Sequence, residues 1–317
     1  MARRPCLVVL CYHRIGSAAG NRYYDPIVSA TPADLAAHVA YLRDHFRMIG
    51  PDALDELAEG GFRPREPSAL ITFDDAYRDN VDVALPILRE LGVPAAFFVA
   101  TGFLDRPRLA WWDHVAYVVK TTKVARLVLD APTPLALDME ALSQADAIEA
   151  IVGPFLKSDP SKESELLAHL GDRAEVSVDA ESLGRALFAD WDQVRALSEA
   201  GMIVGSHTRD HLNLAHQSEA DQTASLVDSR RTLERELGRE VATLAYPYGG
   251  SGDFTAATQR IARESGYRVA FSTTATINRP GATEALDIHR LFIGSAHTPT
   301  LFRARMALAT AFGRPVL

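Results

Sequence analysis

Cysteine is nearly absent. Only Cys6 and Cys11 occur in 317 residues, and both fall in one apolar run that reads as a strand. Five positions along a strand span roughly 16 Å, far beyond a disulfide's reach. A disulfide-stapled scaffold is excluded, and two buried thiols are expected, as suits a reducing compartment. Long apolar runs are missing as well: no segment approaches the ~20 apolar residues of a membrane span. The start, Met1-Ala2-Arg3-Arg4-Pro5, is basic and precedes the apolar stretch Cys6 to Cys11. That stretch is short, ends at Tyr12-His13-Arg14 and is not closely followed by a small-residue cleavage site. A cytoplasmic location is therefore expected. No run of Lys and Arg forms a docking patch, and the formal net charge is −8. Both features argue against a nucleic-acid or anionic-membrane surface. Internal repeats and low-complexity tracts are also lacking.

What is present is ordinary globular material, 47% hydrophobic and 23% charged, enough to bury a core without staples. Short apolar runs alternate with amphipathic stretches. Leu7–Tyr12, Leu70–Phe73, Ala95–Ala100, Met202–Ser206, Thr243–Tyr246 and Val269–Ser272 read as buried strands, Phe46–Ile49 as a weaker one and Arg290–Ile293 as the last. Helices are predicted from Thr31-Pro32 to about His45, over Asn80–Leu91, Trp191–Ala200, Ser218–Leu237 and Phe254–Ser265, each with a cap or a glycine stop. Helix followed closely by strand is the α/β rhythm, and near-continuous apolar strands imply a sheet covered on both faces. Polar residues cluster just after the strands, which fits a barrel or partial barrel. Between about residues 103 and 190 the rhythm breaks into proline-punctuated pieces, including helical patterns at Ala141–Ile151 and Lys162–Leu170. This stretch reads as a helical flap inserted in a single domain covering 1–317.

Three motifs follow strands. Thr72-Phe73-Asp74-Asp75 closes the second long run. Adjacent strand residues point to opposite faces, so both carboxylates can serve one site only where the chain turns. Two adjacent carboxylates are costly to ionise together unless a cation is near; with a metal ion, one could ligate and the other take a proton from bound water. Taken alone, such a pair is more often a helix N-cap or a solvated turn. His207-Thr208-Arg209-Asp210-His211 offers two imidazoles four positions apart, able to face one metal if the segment turns. Read alone, it is as often two histidines in a polar loop. Together the two motifs give one carboxylate and two imidazoles, leaving positions open for water and substrate, the pattern of a catalytic metal site. Ala245-Tyr246-Pro247-Tyr248-Gly249-Gly250 is a rigid turn whose backbone N–H groups could approach a substrate, or simply a turn.

In this order, Thr72–Asp75, Ser206–His211 and Tyr246–Gly249 resemble the polysaccharide deacetylases, carbohydrate esterase family four with the NodB-homology domain. Tyr12-His13-Arg14-Ile15 also resembles the opening strand of one branch. The resemblance implies a distorted (β/α) barrel of about seven strands and removal of an N-acyl group, N-acetyl foremost, from an amino-sugar-containing carbohydrate. It implies one divalent metal, Zn2+ foremost, with Co2+, Ni2+ or Fe2+ as alternatives. By position, Asp74 would be the general base, Asp75, His207 and His211 the metal ligands, and the backbone N–H of Tyr248 an oxyanion donor. The carbohydrate partner could be a polymer, an oligosaccharide or a lipid- or nucleotide-linked precursor.

Two departures stand out. Ala245 occupies the place of the arginine that orients the base in this family; Arg290 is the expected substitute. The family's final Leu-x-His motif has no clean copy, which leaves His289, His297 and His13 as candidates for the general acid, with His289 foremost. Trp111-Trp112-Asp113-His114 reads either as sugar-stacking aromatics or as packing anchors. Competing readings are a deformylase or other C–N amide hydrolase on a linked sugar, and a catalytically weak carbohydrate-binding module.

Overall fold

The structure, a computed structural model, describes residues 5–59, 64–281 and 284–312; the basic residues 1–4 lie outside them. The chain divides into two compact units. One comprises Met1–Ser17, Pro26–Asp105 and Leu187–Leu317, the other Ala18–Asp25 and Arg106–Ala186.

The first unit is built on eight strands: β1 (Cys6–Tyr12), β2 (Arg47–Met48), β3 (Pro67–Phe73), β4 (Ala95–Val99), β5 (Ile203–Ser206), β6 (Thr243–Ala245), β7 (Val269–Phe271) and β8 (Leu291–Phe292). They run β7-β6-β5-β4-β3-β1-β8, with β2 beside β3, and every pairing is parallel. Ile288 bridges to Phe271, while Leu291 and Phe292 pair with Leu10 and Cys11. The run 288–292 thus joins the two ends of the path, and the sheet curls into a distorted barrel.

Alternation sorts each strand into two faces. Leu244, Tyr246 and Ala270 pack with Leu226, Ile261, Ala262 and Tyr267, residues of the covering helices Glu219–Leu237 and Ala256–Glu264 and the loop beyond. The opposite face is the barrel interior: Leu7, Val9, Leu70, Ala96, Phe98, Ile203, Ala245, Phe271 and Ile288 form one buried cluster. Burial on both sides explains why the strands are apolar along their length.

The helix signals act as their chemistry requires. Thr31 and Ser218 cap by accepting from the backbone N–H of Asp34 and Asp221 at 3.1 and 3.2 Å, and Gly92 and Gly238 end helices at φ +66° and +65°. The stretch expected as one helix over Asn80–Leu91 begins instead with a π turn, Asn80–Ala84, and continues as the α-helix Leu85–Leu91. Pro86 explains the change, because it lacks the N–H and crowds the carbonyl one turn back.

The second unit has its own core, with Val115, Val119, Leu127, Leu129, Ile148, Ile151, Leu166 and Leu170 among its buried residues. Lys120 ties Ala18–Asp25 to it through Asn21 O, Tyr23 O and Asp25 Oδ2 at 2.7–3.0 Å. Besides helices it holds an antiparallel hairpin, Arg126–Leu129 with Leu135–Asp138, absent from the sequence reading. Trp111 stacks on Phe155 with ring centroids 5.8 Å apart and packs against this unit's core, and Trp112 is buried with its ring edge-on to Trp111 at 5.6 Å. Among the described residues no helix is long and apolar enough to cross a membrane.

His38, on the helix Pro32–His45, is fully buried. Its Nδ1 meets the Tyr12 hydroxyl at 3.1 Å and its ring stacks on Phe302 at 4.0 Å. Burial lowers its pKa from 6.5 to about 4. Below pH 6.5 the unfolded chain binds a proton that the folded one refuses until about pH 4, so this group removes stability as pH falls through that window. The expected slope is at most about 1.4 kcal/mol per pH unit. Urea unfolding of wild type and His38→Gln between pH 7.5 and 4 should show a shallower decline in the variant; parallel declines would refute the assignment.

Candidate active site

The inner-face alternation does not stop at the core. Leu7 and Val9 lead to Cys11 and His13, Leu70 leads through Thr72 to Asp74, Ile203 through Gly205 to His207, and Ile288 to Arg290 and Phe292. The interior of the barrel therefore changes from apolar to polar at the carboxyl ends of the strands, where an α/β barrel places its chemistry.

Arg290 and Asp74 sit at the centre. The guanidinium, 0% exposed, donates from Nη1 to Asp74 Oδ1 and from Nη2 to Asp74 Oδ2, both at 2.8 Å. Its Nε donates to Ser272 O at 3.1 Å, and Nη1 also reaches Thr72 Oγ1 at 3.1 Å. Burial opposes the charge on Asp74, but Arg290 first and His207 next outweigh it and hold the carboxyl well below its usual range. The Cys11 thiol adds a donor to Asp74 Oδ2 at 3.4 Å. Sequence reasoning identified Cys11 only as a buried thiol.

Asp75 leaves the strand direction. Its φ is +73° and that of Ala76 is +60°, so its carboxylate turns to the imidazoles instead of the outer face. Asp75 Oδ1 lies 3.4 Å from His207 Nε2 and 3.3 Å from His211 Nε2. His207 donates from Nδ1 to Ala245 O at 2.7 Å, which leaves its Nε2 lone pair facing Asp75. Burial holds both imidazoles below their ordinary pKa, with His207 adding to the effect on His211. Neutral rings are what a metal requires. Two tetrahedral ligands about 2.0–2.2 Å from one zinc ion stand about 3.3–3.5 Å apart. The three side chains thus fit a divalent metal in chemistry and spacing.

Backbone strain gathers here. Among the described residues, Asp75, Ala76, Thr208, His211 and Tyr248 have positive φ without being glycine, and only Glu175 shares this elsewhere. Such conformations cost about 1–3 kcal/mol each and persist where surrounding structure enforces them. Part of that enforcement is visible at Gly102, whose N–H donates to Arg209 O at 2.7 Å. A Cβ there would stand 2.7 Å from the same oxygen, so only glycine lets the histidine loop pack so closely. Behind the loop, Phe103 stacks on Phe188 at 4.7 Å and lies 6.5 Å from the His211 ring.

The remaining candidates separate. Tyr248, at φ +61°, sets its ring 5.0 Å from that of His211. His13 has a ring nitrogen within 4.8 Å of both Cys11 Sγ and an Asp74 oxygen. His289, between two inner-face residues, turns the other way, with Nε2 3.7 Å from Asp287 Oδ1. His297 is held by Gly294 and Arg305.

Removing Arg290 would leave the Asp74 charge buried and unpaired, a loss of about 3–5 kcal/mol. Arg290→Ala should lose that much stability in denaturant titrations, and the double variant Arg290→Ala/Asp74→Asn should regain most of it. Equal stability of Arg290→Ala and wild type would contradict the clamp.

Residues 62–270 match the family model described as polysaccharide deacetylase. YxkH of Bacillus subtilis (strain 168), itself assigned to the polysaccharide deacetylases, is 20% identical over 303 residues, 94% of this chain and 75% of that protein. Among solved structures, the Streptococcus pyogenes deacetylase PplD, in complex with acetate, superposes with TM-score 0.62 at 18% identity, covering 97% of this chain and 99% of that one. IcaB from Ammonifex degensii gives 0.60 at 19% identity, covering 96% and 97%. These likenesses establish a shared fold, and the family match extends over well more than half of the sequence. The chain belongs to the polysaccharide deacetylase family.

Proposed function

We propose that this protein is a metal-dependent hydrolase that removes the N-acetyl group from an amino-sugar unit of a carbohydrate. The observation that carries the reading is the division of labour between adjacent carboxylates: Asp75 converges with His207 and His211, while Asp74 is clamped by Arg290. Family membership supplies the carbohydrate and the acyl group.

Asp75, His207 and His211 would hold the ion, which when bound polarises the acyl carbonyl and lowers the pKa of water. Asp74 accepts the proton of the attacking water. The Arg290 clamp keeps this base ionised and fixes its direction, at the cost of basicity. The backbone N–H of Tyr248 is assigned to the developing oxyanion, where a fixed donor is worth most.

His13 is the general acid in this scheme, in place of His289. Burial keeps its resting imidazole neutral, with a pKa lowered to about 4, while the Asp74 charge favours the protonated ring. The proton taken by Asp74 passes to His13, restoring a carboxylate beside an imidazolium. His13 then protonates the leaving nitrogen as the C–N bond breaks, and the free amine and acetate result. Phe292, 39% exposed with its ring 5.5 Å from that of His13, offers a flat apolar face at the rim to a pyranose.

Three measurements test this. Chelator-stripped wild type titrated with zinc should take one ion tightly and His211→Ala should not; wild type that takes no divalent ion would end the metal mechanism. Loaded wild type should release acetate from N-acetylated sugar oligomers, whereas formate without acetate would point to a deformylase. His13→Ala should lose about 10²–10⁴ in kcat with little change in KM. If His289→Ala shows that loss and His13→Ala does not, the acid is misassigned.

A further inference from the structure

Cys11 and His13 lie two positions apart on the inner face beside Asp74, whose Oδ2 also stands 3.9 Å from His207 Nε2. Each of the three residues offers a donor atom within 4.8 Å of the other two. Cys11 Sγ stands 3.4 Å from Asp74 Oδ2. Sulfur and oxygen sharing one tetrahedral zinc, at about 2.3 and 2.0–2.2 Å, would be about 3.5–3.7 Å apart. Asp74 has the capacity for a further partner, since each of its oxygens carries two lone pairs and Arg290 uses one on each. His13 Nδ1 is buried with no hydrogen-bond partner, and a buried polar atom in that state points to a water or an ion.

We propose that Cys11, His13 and Asp74 form a second, weaker site for a soft divalent cation, zinc foremost, and that filling it inhibits the enzyme. The donors are one sulfur, one nitrogen and one oxygen, a set that suits zinc and cobalt and discriminates against magnesium and calcium. On binding, the ion takes the place of the thiol proton, which leaves to solvent as the sulfur–metal bond forms; nothing is oxidised or reduced. The inhibition, unlike the binding, rests on the roles proposed above, because the ion would engage the general base and the general acid together. The site fills second for two physical reasons. Its thiol is buried and holds its proton tightly, and the Arg290 guanidinium on Asp74 repels a further cation.

Sulfur distinguishes the two sites, since Asp75, His207 and His211 supply none. Stripped protein titrated with Co2+ should take a first equivalent without a sulfur-to-cobalt charge-transfer band and develop that band with a second. Cys11→Ser should bind the first equivalent and show no band; Cys11→Ala serves if the serine variant folds poorly. On an N-acetylated oligosaccharide, zinc in excess of one equivalent should slow wild type by about 100-fold, the scale of losing acid–base assistance. Cys11→Ser, referred to its own one-zinc rate, should not be slowed. Wild type saturated with cobalt but lacking the band would overturn the site, as would a second equivalent bound equally by Cys11→Ser. A sulfur band with no uptake at Asp75, His207 and His211 would leave the second site standing and sink the proposed function instead.

Discussion

The ion pair between Arg290 and Asp74 is the interaction on which the rest of the site depends. Both groups are buried, and removing two charges from water costs several kcal/mol apiece, returned only by close geometry and further hydrogen bonds. Here both carboxylate oxygens face the guanidinium fork, and the spare donors go to Ser272 O and Thr72 Oγ1. Thr72 in turn donates to Leu10 O on the neighbouring strand at 2.9 Å. The pair joins residues 216 positions apart and belongs to the same segment that bridges β7 to β1. Closure of the barrel and orientation of the Asp74 carboxylate are therefore one construction. A lysine at 290 would keep the charge but lose the planar fork that fixes the carboxylate.

Much of this was legible in the sequence because the informative residues are local. Asp74 and Asp75, and His207 and His211, lie within a few positions of a strand end, and a strand end in an α/β barrel faces one mouth. Arg290 could be named from its place in the last strand. The proposed general acid could not be chosen by proximity to that strand, but alternation bears on the choice. Ile288, Arg290 and Phe292 share the inner face, so His289 must point outward; Leu7, Val9 and Cys11 do likewise, so His13 points in. The period-two rule separates the two histidines once the inner face is known, and that face is fixed by which residues meet the covering helices.

Other features were not legible for identifiable reasons. The bond from Cys11 to Asp74 spans 63 positions and depends on the register of β1 with β3, which no local pattern encodes. Gly102 matters through the close approach of a loop more than a hundred residues later. The hairpin Arg126–Leu129 with Leu135–Asp138 is short, and its alternation of exposed and buried residues occupies too few positions to stand out beside the helices on either side. The π turn at Asn80–Ala84 hides within a helical pattern, with Pro86 as its one visible sign.

The two carboxylates show how little sequence separation is needed to give neighbouring residues different partners. Asp74 continues the strand and falls on the inner face beside Arg290; Asp75 would fall on the outer face if the strand went on. A positive φ at Asp75 turns it back, toward imidazoles that burial keeps neutral. The neighbours of the two carboxylates oppose an exchange of the proposed roles. A metal on Asp74 at the first site would have to compete with a guanidinium already on both oxygens, whereas Asp75 Oδ1 already faces both imidazoles. The strain at Asp75 and Ala76 is thus the local cost of giving neighbouring residues of one type opposite electrostatic environments. It is sustained by the packing of Tyr77 on Phe188, whose rings stack at 4.8 Å, and by the hydrogen bond from Ala189 N–H to Ala76 O at 2.9 Å. The turn that brings Asp75 to the imidazoles is therefore held by the segment Leu187–Ala189, where the chain re-enters the barrel unit.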